Sequence, residues 1–201
     1  MIDEPHMRLL NFLLGALGGV SKLKWFLSYG TLLYYIRDFR MEKPYEWDYD
    51  VCLFNADAEA VMLSMESSGF HLHKKIVNDV TGEPFQLVYK HNRMEKYADL
   101  FFMFDVGGYT WHTYDFDMEM PEDGIPKNYR FKGVPSEYFE GEVFKYMWFD
   151  NIPKLPFPCK YGTLLDTWYP GWFIPDSNFG QSRCQRIVET KSCVKLTERL
   201  L

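Results

Sequence analysis

Apolar residues recur at helical spacing near the start of the chain. Leu9, Leu10, Phe12, Leu13 and Leu17 place one apolar stripe on a helix over residues 5–19, and Gly18-Gly19 stops it. Residues 24–29 (KWFLSY) read as a short strand running into a helix over residues 31–39, with Leu32, Leu33, Tyr35 and Ile36 on its apolar side and Lys43-Pro44 as the break. Residues 48–54 read as a strand. Residues 57–68 read as a helix with Asp57 or Asn55 as N-cap and Gly69 just past its end. Alternation from Phe70 to Ile76 and the run Phe85–Lys90 predict two more strands, and the nearly continuous apolar run Tyr97–Phe104 predicts a central one. Val106-Gly107-Gly108-Tyr109 predicts a turn into a strand through Tyr114. Residues 115–136 are polar, acidic and marked by Pro and Gly, and read as a long loop. The Pro-rich LPFPCK follows, then a helix over residues 161–169 and a polar tail after residue 182. GTLL occurs at residues 30–33 and again at 162–165, but nothing around it repeats. The pattern predicts an α+β chain with one mixed β-sheet flanked by helices, in a single domain.

Three carboxylates interrupt this pattern where apolar residues are expected. Asp48 and Asp50 stand at i and i+2 at the start of a strand, so both point to one face. Two carboxylates on one face repel unless a cation lies between them, and a hard divalent ion such as Mg²⁺ or Mn²⁺, commonly met with substrate phosphates, resolves the conflict. Asp99 stands alone inside an apolar strand, where an unpartnered charge is costly. Gly30 and Thr31 stand at a strand-to-helix junction, where backbone N–H groups and the helix dipole favour a phosphate. Arg37 lies two turns along the same helix, a candidate for phosphate or substrate contact and equally for a surface salt bridge. Expected metal ligands and catalytic residues are therefore Asp48, Asp50 and Asp99, and expected phosphate or substrate contacts are Gly30, Thr31 and Arg37.

Taken together, Gly30-Thr31-Leu32-Leu33, Arg37, Trp47-Asp48-Tyr49-Asp50 and Asp99 in KYADLFFMF resemble the LicD/fukutin family of the nucleotidyltransferase-fold superfamily. The closing segment LPFPCKYGTLLDTWYPGWFIP is similar to that family's Pro-rich stretch, helix and Tyr-Gly-x-Trp-x-x-Pro, with Pro170 intervening between Tyr169 and Gly171. A Gly usual after Gly-Thr-Leu-Leu in the family is Tyr34 here, which bears on substrate specificity. The resemblance spans residues from about 20 to 176, with a motif core at about 20–114 and a Pro- and aromatic-rich segment at about 135–176 inside one domain over 1–201. It implies a nucleotidyltransferase-like fold and a phosphotransferase that moves a phospho-alcohol from a CDP-alcohol donor to a glycan acceptor hydroxyl. The donor alcohol would be of the phosphocholine, ribitol-phosphate or glycerol-phosphate type. Two alternatives stand beside it: transfer of NMP from an NTP to a small molecule, and a catalytically inactive, glycan-binding or chaperone-like relative.

Composition narrows the field further. A net charge of −6 argues against a nucleic-acid partner, which needs a basic face. The four cysteines, Cys52, Cys159, Cys184 and Cys193, form no CxxC pair, so no zinc site is expected; Cys184 and Cys193 are the pair that an oxidising compartment would join. Cys52 reads as a core thiol, Tyr49 as packing opposite the carboxylates, and His71 and His73 as an exposed strand face. His112 lacks metal-ligand spacing to another His or Cys. Trp168, Tyr169 and Trp172 read as aromatic core ahead of a base- or sugar-stacking surface. Asp3 and Glu4 precede the first apolar run, which is shorter than a membrane span, so no signal peptide or transmembrane segment is expected. Sequence alone thus points to the cytoplasm, and the resemblance leaves a Golgi lumen open.

Overall fold

A computed structural model describes residues 4–38, 48–77, 82–94, 96–114, 130–139, 144–149, 152–174 and 190–192. The elements run α1 (Glu4–Gly18), β1 (Lys24–Leu27), α2 (Tyr29–Arg37), β2 (Asp48–Phe54), α3 (Ala58–Ser67), β3 (Phe70–Val77), β4 (Pro84–His91), β5 (Tyr97–Val106), β6 (Tyr109–Tyr114), β7 (Arg130–Pro135), β8 (Phe144–Phe149), β9 (Ile152–Pro158), α4 (Tyr161–Trp168) and β10 (Thr190–Ser192), with a 3-10 turn at Ser136–Phe139. The expected α+β organisation, a mixed sheet flanked by helices, is the observed one.

The long apolar strand β5 is the hub of the sheet. It pairs in parallel with β2, from Asp48↔Tyr97 to Phe54↔Met103, and antiparallel with β4 on its other side. Its far end turns through Gly107 and Gly108, both at positive φ, into β6. The sheet then continues from β6 to β7 and β10, while β1 borders β2 and β3 borders β4. A parallel neighbour cannot be reached by a hairpin, and the chain between β2 and β5 is accordingly taken up by α3 and the β3–β4 hairpin.

The core gathers Leu9, Leu10, Leu13 and Leu17 from α1, Leu32, Leu33, Tyr35 and Ile36 from α2, consecutive apolar residues of β2 (Val51, Cys52, Leu53) and β5 (Leu100, Phe101, Phe102, Met103), and Leu164, Leu165 and Trp168 from α4. Tyr49, Cys52 and Trp168 are buried as expected, while His71 and His73 are exposed. Asp57 caps α3 by accepting from the N–H groups of Glu59 and Ala60 at 3.1 Å each. Among the described residues, no helix is long and apolar enough to cross a membrane.

Three expectations are corrected. Phe12 is 39% exposed, stacked on His91 at 4.4 Å at the edge of the core that its helical spacing pointed it into. The helix expected from residue 31 begins at Tyr29, and Thr31 lies within its first turn. Residues 130–135, assigned to the long loop, form β7 against β6; residues 115–129 lie outside the described residues. The Pro-rich LPFPCK is largely strand β9, paired with β8. Trp47, Cys184, Cys193 and most of the expected polar tail also fall outside the described residues, while Thr190–Ser192 of that tail form β10.

Candidate functional site

The parallel pairing of β2 with β5 sets Asp50 directly beside Asp99, and Asp48 follows on the same face two residues earlier. One carboxylate oxygen from each of Asp48, Asp50 and Asp99 lies within 4.8 Å of the others. Asp50 is buried, at 8% exposure, and the other two are half-buried. Strand spacing alone brings the Asp50 and Asp99 side chains to neighbouring positions, so the cluster follows from register rather than from a loop conformation.

The first turn of α2 is tied to this cluster. The Ser28 N–H donates to the Asp50 carbonyl at 3.0 Å, extending β1 to the helix start. The Asp50 N–H in turn donates to the Thr31 hydroxyl at 2.8 Å. The Thr31 N–H and hydroxyl reach the Asp50 carboxylate oxygen Oδ2 at 3.5 and 3.4 Å. Thr31, expected as a phosphate contact, thus turns both its hydroxyl and its N–H toward Asp50. Tyr29, the first residue of α2, has φ +45, a left-handed conformation that side chains larger than glycine rarely adopt. Such strain costs about 1–3 kcal/mol and persists only where packing enforces it. Here the Tyr29 ring packs on Trp168 at 4.7 Å and Phe101 at 5.1 Å, and its hydroxyl sits 2.6 Å from Nε2 of the fully buried His112.

Arg37 is not gathered into the cluster. It ends α2, six residues and about 9 Å along the helix axis from Thr31. Its guanidinium binds Asp38 through two bonds of 2.8 and 2.7 Å, lies over the Tyr34 ring at 5.4 Å and reaches the Trp172 carbonyl at 3.5 Å. The hydrogen bonds to Asp38 hold its pKa above the ordinary arginine value. The salt-bridge reading is the one this geometry favours, with the Tyr34 ring as its platform.

Gln86, which the sequence reading passed over, borders the site, and His112, weighed there only as a metal ligand, holds the first residue of α2. Gln86 of β4, 6% exposed, donates from Nε2 to Asp99 Oδ2 at 3.5 Å. His112 of β6 anchors Tyr29 from below. Each carried a signal, a polar residue inside a buried strand, and it was the same signal that marked Asp99. Cys52 lies on the same strand as Asp50, and burial pushes its thiol pKa up, with a Ser28 hydrogen bond opposing the effect and the Asp50 charge adding to it.

No protein-family model matches the chain, and no curated protein matches it. Among solved structures, the chain is similar to the lincosamide antibiotic adenylyltransferase LnuA, crystallised with lincomycin bound. The TM-score is 0.47 at 14% identity, covering 100% of this chain and 99% of that one.

Proposed function

We propose that this chain is a metal-dependent transferase that moves a phosphorus-containing group from a nucleotide donor to a hydroxyl. The observation that carries the proposal is the convergence of Asp48, Asp50 and Asp99 within 4.8 Å on adjacent parallel strands, beside the N-terminus of α2. Three hard oxygen donors suit Mg²⁺ or Mn²⁺ rather than a thiolate-seeking metal, and these three residues would hold one or two such ions. When bound, the cation neutralises charge on phosphate oxygens and aligns the leaving group. Thr31 fixes the Asp50 carboxylate. Gly30, in the first turn of α2, lets the helix N-terminus approach the donor phosphates. Asp99 takes the proton of the acceptor hydroxyl.

Transfer of NMP from an NTP to a small-molecule hydroxyl requires only the carboxylates and the α2 N-terminus, and it stands first. Transfer of a phospho-alcohol from a CDP-alcohol to a glycan is the second reading, and it rests on the LicD/fukutin resemblance. The two distant segments that carry the LicD/fukutin resemblance meet in space: Arg37 reaches the Trp172 carbonyl, and Tyr29 packs on Trp168. The three intact carboxylates count against an inactive glycan-binding role.

The test is a screen of NTPs and of CDP-choline, CDP-ribitol and CDP-glycerol with Mg²⁺ or Mn²⁺, against small hydroxyl compounds and glycans. Pyrophosphate release identifies the first reading and CMP release the second. Turnover of none of them by wild type, or equal turnover by Asp50→Asn, overturns the proposal.

A further inference from the structure

Gln86 is the one polar side chain of β4 that is buried beside the carboxylates. Its neighbours Phe85 and Leu87 are also buried, so a polar residue there has a cost that something must offset. Its amide has two ends with different circumstances. Nε2 donates to Asp99 Oδ2 at 3.5 Å. Oε1 is buried and has no hydrogen-bond partner among the described residues. Turning the amide over would set Oε1 against a carboxylate oxygen, acceptor to acceptor, so the assigned orientation is the chemically consistent one. A buried amide oxygen left without a donor is destabilising, and Gln86 therefore lacks half of what would stabilise it.

From this we infer that Gln86 is a positioning residue for the metal centre, holding the Asp99 carboxylate through Nε2 and accepting a hydrogen bond from a cation's water of hydration through Oε1. The inference rests on the metal-centre reading of the carboxylates given above. Residues that hold metal ligands in this way shape affinity strongly, and their loss typically weakens metal binding about 10- to 100-fold. In the metal-free protein the orphaned Oε1 offsets the long Nε2 bond, so Gln86 contributes little to stability there.

The experiment uses the full chain, with Mn²⁺ alone as probe. Free Mn²⁺ is measured by electron paramagnetic resonance during titration, and melting curves are recorded with and without the ion, for wild type, Gln86→Leu and Gln86→Met. The expected result is about a 10-fold weaker Mn²⁺ affinity in both variants and a smaller Mn²⁺-induced rise in Tm, with the metal-free Tm unchanged. Two variants of different shape guard against one that does not fold. Mn²⁺ affinity within twofold of wild type in either folded variant overturns the inference and leaves the metal centre standing. A metal-free Tm that falls in step with the lost affinity assigns Gln86 to packing and also overturns it. Failure of wild type itself to bind Mn²⁺ overturns the metal centre and this inference together.

Discussion

Replacing Asp50 with Asn separates charge from shape at the centre of the cluster. At the 4.8 Å limit of the carboxylate oxygens, each ionised pair repels by about 3.5 kcal/mol at an effective dielectric of about 20, and by about 1 kcal/mol in water. Asp50 is buried and faces both partners, so it carries the larger share of this repulsion. The substitution costs little in return. The Asn side-chain carbonyl keeps the acceptor that Thr31 approaches at 3.4 and 3.5 Å, and the 2.8 Å bond from the residue-50 N–H to the Thr31 hydroxyl does not involve the side chain. The new amide also donates toward Asp48 or Asp99. A net stabilisation of about 2 kcal/mol is expected without metal, which for a chain of this size raises Tm by about 4–8 °C. With Mn²⁺ at about 1,000 times its dissociation constant, wild type gains about 4 kcal/mol by mass action and the order reverses. Thermal melts of both proteins in EDTA and in Mn²⁺ decide the matter. An Asp50→Asn protein that melts several degrees below wild type in EDTA would refute the reasoning, because Asp50 would then be a structural carboxylate.

Other outcomes follow from particular contacts. Thr31→Val deletes the acceptor of the Asp50 N–H and leaves that buried group unsatisfied; urea unfolding should show a loss of about 1–3 kcal/mol, with weaker Mn²⁺ binding, and Thr31→Ser should restore both. Gly133→Ala places a Cβ 2.9 Å from three ring atoms of Trp111, and calorimetry should report a destabilisation of about 1–3 kcal/mol from overpacking. Desolvation lowers the pKa of His91, helped by the nearby Arg93 charge, while Nδ1 accepts from the Arg93 N–H at 3.2 Å. The unfolded chain therefore binds this proton more readily than the folded one. The contribution is fully present above the unfolded pKa of about 6.5 and is lost as pH falls through the lower folded value. Melts from pH 7.5 down to 5 should show a decline that His91→Gln reduces, and an unchanged slope would remove His91 from the account.

Much of this arrangement was legible from the chain because it rests on period and on misplaced charge. The apolar runs of β2 and β5 announced strands, and carboxylates inside such runs had to be explained by something other than packing. The sequence could not give the parallel register that sets Asp50 against Asp99, since β2 and β5 are joined only through α3 and a hairpin. The β8–β9 ribbon was missed for a different reason. Its apolar residues are interrupted by Pro153, Pro156 and Pro158, yet β9 pairs with β8 in a two-stranded sheet. Prolines 156 and 158, two residues apart, withhold their missing donors on the same edge, which one-sided pairing tolerates. For Thr31, local sequence shows the helix start and not the strand beside it. Only the fold reveals that its hydroxyl accepts from Asp50.

The central claim is that Asp48, Asp50 and Asp99 are one metal centre, and crystals grown with Mn²⁺ and a nucleotide test it most directly. Anomalous diffraction at the manganese edge is predicted to show a peak bonded to a carboxylate oxygen of each of the three residues, with a phosphate of the nucleotide on the same ion near the start of α2. A manganese peak elsewhere on the chain, or none between these carboxylates in crystals of protein that turns over the nucleotide, would contradict it.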